Sequence, residues 1–233
     1  MPPVRSLARR SFMARLGASL AALTSASLGG ADVAEAASLR SAPWQPARHS
    51  QDDWFEELPG KHRFFFDATS AVGAGEAIAF ASNFLVASAK GYQLAESENA
   101  IVIGLRHHAT LFAFSDAIWQ KYGVPLSERI SYVDPRTRQP PIVNVYQATG
   151  YGALLPNRET TLNAMAKRGV HFALCDMATQ VYAGVAAGKL GLKASDVYAE
   201  LRASALPNAH FVAAGIVAVN RAQERGYTIQ HIG

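Results

Sequence analysis

The sequence predicts an α/β fold, a three-layer sandwich with a mostly parallel sheet and helices on both faces. Three observations predict it. From residue 62 onward, short runs rich in β-branched and aromatic residues alternate with longer stretches of helical periodicity. The run NAIVIGL (99–105) has no polar alternation, as suits a strand buried on both faces of a parallel sheet. Glycine and proline punctuate the joins between runs.

Residues 62–67 (HRFFFD) read as the first strand, followed by a Gly73-Ala74-Gly75 turn. Ile78, Ala81, Leu85 and Ala89 recur at helical spacing until Gly91, and 99–105 is the central strand. After His107-His108, the residues Leu111, Phe114, Ile118, Trp119 and Tyr122 share one helical face, and Gly123-Val124-Pro125 stops that helix. Between 125 and 157 the periodicity fails, with only 142–146 strand-like, so this stretch is expected to be an inserted lid, binding loop or oligomer arm. Its Tyr132, Tyr146 and Tyr151 suit a subunit interface; the alternative is a lid closing within the chain. Residues 160–168 predict a helix ended by Gly169, and 170–174 (VHFAL) a strand that delivers Cys175 at its carboxyl end. Helices over 177–190, from a Ser195 cap to Leu201, and over 213–225 follow, with short strands at 211–212 and 226–229. Alternation of this kind implies right-handed crossovers, and no internal repeat is seen.

The chain has 233 residues, 49% hydrophobic, which suits one globular domain at 61–233. Its net charge of +4 is concentrated early: Arg5, Arg9, Arg10 and Arg15 against Asp32 and Glu35 fall in the first 36 residues. Setting those aside leaves 18 basic and 16 acidic residues of the original 22 and 18, so the rest lacks the electrostatic footprint of a nucleic-acid binder. Residues 1–36 read as a twin-arginine signal peptide. Arg9-Arg10 is followed one residue later by Phe12-Met13, a diluted apolar stretch runs over 16–28, and Ala34 and Ala36 satisfy the A-x-A cleavage rule. The stretch is too short and too weakly apolar for a stable membrane span, so the expected destination is the periplasm, with 37–60 a flexible tether.

Ligands in open α/β sheets bind beyond the carboxyl ends of the strands, where Cys175 is expected. Oriented amides at a helix N-terminus favour the thiolate, the nucleophilic form, whereas the neighbouring Asp176 disfavours a second negative charge. As the sole cysteine it forms no internal disulfide, and its competing role is that of a buried core residue. His107 and His108 follow another strand on the same rim, although helical geometry would keep two adjacent imidazoles from entering one site. Arg106 and Asp67 are further strand-end candidates for substrate binding, and His171 reads as a packed strand residue. No metal-ligand spacing, phosphate loop or nucleophile elbow occurs, so neither a metal nor a cofactor is expected.

The succession GVHFALC (169–175), the segment 201–206, FVAAG (211–215) and QERGYTI (223–229) resembles the carboxyl half of DsrE/DsrF-like proteins. There GV-x-F-x-x-C, a vPAGV segment and a terminal lQ-x-x-GY follow one another. IVIGLRHHAT resembles that family's strand ending in His-Gly, with His107 at the histidine and His108 in place of the glycine. The resemblance spans 62–232, with 125–157 as an insertion. It implies an α/β sandwich, homo-oligomers, and sulfane sulfur carried as a persulfide on Cys175, assisted by His107 and exchanged with a donor or acceptor protein. A module that keeps the fold for ligand binding or assembly without the chemistry is the alternative.

Overall fold

A computed structural model describes residues 45–233; the expected signal peptide and its cleavage site lie outside the described residues. Five strands form one sheet, β1 (His62–Ala68), β2 (Asn99–Leu105), β3 (His171–Cys175), β4 (Ala209–Val212) and β5 (Thr228–Ile232). Their order is β4-β3-β2-β1-β5 and every pair is parallel. The helices are α1 (Trp54–Glu57), α2 (Ala71–Tyr92), α3 (Asp116–Arg129), α4 (Leu162–Lys167), α5 (Asp176–Leu190), α6 (Ala194–Ala203) and α7 (Gly215–Glu224).

The layers follow from strand alternation. Phe66, Ile101, Ile103, Phe172 and Leu174 point to one face and pack against α2 to α6, while Phe65, Val102, Ala173 and Val212 point to the other and meet α1 and α7. The chain steps from β1 to β4 in one direction along the sheet, then returns to β5 beyond β1. Because crossovers keep one hand, reversing direction moves the connecting helix to the opposite face, and α7 is that helix. The α/β sandwich is as the sequence predicts. Helix α2 is long and apolar enough by composition to cross a membrane, and 56% of its most apolar window is buried inside the protein.

Several boundaries differ from the sequence expectation, each for a local reason. Helix α2 begins at Ala71, so Gly73 and Gly75 lie in its first turns: Ser70 Oγ caps it by accepting from Gly73 N at 2.8 Å, and the Tyr146 ring occupies the space a Gly75 side chain would need. His107–Ala113 is a 3₁₀ stretch, and α3 starts only after Ser115. That helix runs through Gly123 and Pro125. Gly123 lets the Pro141 carbonyl approach closely, and Ser127 Oγ donates to the Gly123 carbonyl at 2.6 Å. Helix α6 is preceded by Lys193, leaving Ser195 inside the first turn.

Residues 142–146 form turns, not a strand. Asn144 Nδ2 donates to the carbonyls of Phe112 and Phe114 at 2.7 and 2.8 Å, pinning the insertion to the 3₁₀ stretch. Tyr146 is buried with its hydroxyl donating to Ala71 O at 2.7 Å, and Tyr151 is buried against Asp134 at 2.8 Å. Tyr132 is half-buried, edge-on to Phe112. Of the three rings expected at a subunit interface, Tyr146 and Tyr151 therefore fill their own chain's core, and Tyr132 packs partly buried against it. Within the stretch expected as a tether, Phe55 and Leu58 are buried: Phe55 packs on Phe65 and Tyr227, and its carbonyl accepts from Arg63 and the Tyr227 hydroxyl. These residues supply part of the second face's cover, since α7 is its other apolar element.

Candidate functional site

The five candidate residues Asp67, Arg106, His107, His108 and Cys175 lie at the carboxyl rim of the sheet, because β1, β2 and β3 are parallel and in register: Asp67 pairs with Gly104, and Leu105 with Leu174. Cys175 closes β3 and serves as N-cap of the 15-residue helix α5, with its Sγ accepting from Ala178 N at 3.4 Å. It is 7% exposed. The rim is also a topological switch point, since β3 continues into α5 on one face and the adjacent β4 into α7 on the other.

The carboxylate that the sequence sets against a thiolate is compensated. Asp176 Oδ1 accepts from the Tyr198 hydroxyl at 2.7 Å and from Arg202 Nη1, and Oδ2 accepts from Gln180 at 2.7 Å. Arg202 in turn lies 4.0 Å over the Phe211 ring.

Asp67 and Arg106 are brought together with each other. The buried Asp67 carboxylate takes Arg106 Nε at 2.6 Å and Nη2 at 2.8 Å in a bidentate fork, and His231 Nδ1 stands 3.0 Å from its Oδ2. Hydrogen bonding to Asp67, aided by Cys175, holds the Arg106 guanidinium above its ordinary range against the opposing effect of burial. The Arg106 stem fills the space beside Gly215, at the start of α7. Asp67 is thus committed to a structural pair, and Arg106 is the cation that pair fixes near the thiol.

His107 and His108 stack, with ring centroids 3.9 Å apart and planes at 17°. Helical spacing would splay them, but His107 has a left-handed backbone (φ 54°), an uncommon conformation for a residue other than glycine. The Tyr182 hydroxyl donates to the His107 carbonyl at 3.2 Å. Burial, then His107 and Arg129, push His108 down from 6.5. Burial, with Cys175 adding and Arg129 opposing, pushes Tyr182 up to about 12. Neither imidazole makes a hydrogen bond to Cys175 Sγ; the thiol's partner is the Ala178 amide. Among the described residues no group of three or more His, Cys, Asp or Glu could hold a metal ion.

Sequence reasoning missed His231, Tyr182, Arg129 and Arg202. Tyr182 stands seven residues after Cys175, two helical turns along the same side of α5, so that spacing was available. The others reach the rim through tertiary packing alone. His171 is a half-buried strand residue whose Nδ1 lies 2.9 Å from His210 Nε2.

No family model, curated protein or solved structure matches the chain.

Proposed function

We propose that this protein is an exported, DsrE-like sulfur carrier that takes sulfane sulfur onto Cys175, works as a homo-oligomer in the periplasm and passes the sulfur to an acceptor thiol. One observation carries the reading: Cys175 Sγ caps α5 under the Ala178 amide while the neighbouring Asp176 is occupied by Arg202 and Tyr198. The sulfur thus takes a hydrogen bond at the first turn of a helix, and the carboxylate beside it is engaged by other partners, which leaves the thiol as the nucleophile of this rim. In the loading step the thiolate attacks the outer sulfur of thiosulfate. The new S–S bond forms as the thiosulfate S–S bond breaks, and sulfite leaves with the electron pair. An acceptor thiolate then takes the outer sulfur and restores the Cys175 thiolate.

Incubating the mature chain with thiosulfate and weighing it intact tests the reading. The expected result is a gain of one sulfur atom that is absent from Cys175→Ser. An unchanged mass for the native chain would exclude the carrier.

The near-complete burial of Cys175 favours a second reading, a binding or assembly module of the same fold. Alkylation separates the two. A thiol that labels only after unfolding belongs to the module, whereas one that labels in the native protein belongs to the carrier.

A further inference from the structure

The sulfur-transfer reading leaves open how an anionic donor is held. Beside the first turn of α5 lies a cleft of about 170 Å³, lined by His107, His108, Arg129, Met177, Val181 and Tyr182. Ala178 also lines it, and its amide is the one that reaches Cys175 Sγ. At about 30 Å³ per water molecule the volume corresponds to roughly six waters. That accommodates a small oxyanion.

The charges in the cleft have one sign. Arg129 ends α3, is exposed, and makes no ion pair with a carboxylate among the described residues; the adjacent Glu128 is engaged by Lys189. The stacked imidazoles of His107 and His108 form a second polar wall, while Met177 and Val181, both exposed, form an apolar one. A left-handed residue is costly for histidine, and here it turns two adjacent imidazoles onto one cleft instead of splaying them. Burial and the neighbouring Arg129 disfavour the charged form of His108, so an anion bound there would favour it.

We infer that this cleft binds a small sulfur oxyanion, with Arg129 as the principal recognition residue and His108 as its partner, next to the thiol that receives the sulfur. The inference rests on the sulfur-carrier reading for the identity of the anion and on the cleft itself for its class. A guanidinium matches an oxyanion's paired oxygens, and removing one such charge-assisted contact weakens binding about tenfold to a hundredfold.

The test uses the mature chain and its Cys175→Ser variant, titrated calorimetrically with thiosulfate and, separately, with sulfate, which has no sulfur to donate. Both anions are expected to bind both chains and to move the His108 ring resonances. Arg129→Gln should lose about tenfold or more of the affinity, whereas Lys121→Gln, which removes a charge elsewhere on α3, should lose none. Equal affinity in Arg129→Gln and the native chain, or no binding of either anion to the native chain, overturns the inference. Binding through Arg129 without any mass gain on Cys175 would uphold the cleft while removing the sulfur carrier, so the two failures are distinguishable.

Discussion

His171 and His210 stand with Nδ1 and Nε2 2.9 Å apart, a hydrogen bond that needs one ring to donate and the other to accept. Trp54 lies flat on His210 at 3.9 Å. Burial, then His171, lower His210 from 6.5 to about 4, and burial lowers His171 as well. For a base whose folded value is depressed, the unfolded chain takes a proton that the folded chain refuses. Stability is therefore unaffected above about 6.5 and falls as pH drops from there toward about 4. Thermal unfolding at pH 7 and pH 5 should show a lower midpoint at pH 5, and His210→Phe, which keeps a ring under Trp54, should show a smaller fall. An equal fall in both chains would remove the pair from the account. The sequence exposes such residues unevenly. Cys175 and the two rim histidines were legible because they end apolar runs. The stacking of His107 on His108 was not, because it depends on one left-handed dihedral, and the pairing of Asp67 with Arg106 depends on the register of β1 against β2.

At the scale of elements, the strands were the most legible, since burial on both faces leaves little choice of residue type in β2 and β3. Helix ends were less so. The Gly-Val-Pro stop after α3's second turn is overridden because Gly123 admits the Pro141 carbonyl and Ser127 bonds back to Gly123. The short α1 was hidden for a different reason: four residues carry no usable periodicity, and their tertiary partners decide their fate. Phe55 is 0% exposed and joins Phe65, Ala218, Ala222 and Tyr227 in the second core. Phe55→Ala should therefore cost about 3–5 kcal/mol of stability, as large-to-small changes in a packed core do. Urea denaturation measures it. A loss below about 1 kcal/mol, ordinary for an exposed position, would restore the tether that composition alone suggests.

At the scale of the whole molecule, the proposed homo-oligomer needs a surface beyond Tyr146 and Tyr151 of the insertion, which are buried inside the protomer. Helix α2 offers one. Val72, Phe80 and Val86 are 55%, 45% and 41% exposed and fall within about 120° of the helix circumference at 100° per residue. Glu76 and Lys90, the only charges on α2, fall on the same arc, so a partner surface that covers the stripe also meets one acid and one base. The mature chain is therefore expected to scatter light as a multiple of the protomer mass. Phe80→Asp, which puts a charge on the exposed stripe without entering the core, should shift it toward the protomer and leave the unfolding midpoint of the separated chain near the native value. Native protein at the protomer mass across the concentration range would remove the oligomer from the proposal. An unshifted oligomer in Phe80→Asp would move the interface off α2, leaving the exposed edge of β5 as the next surface to test.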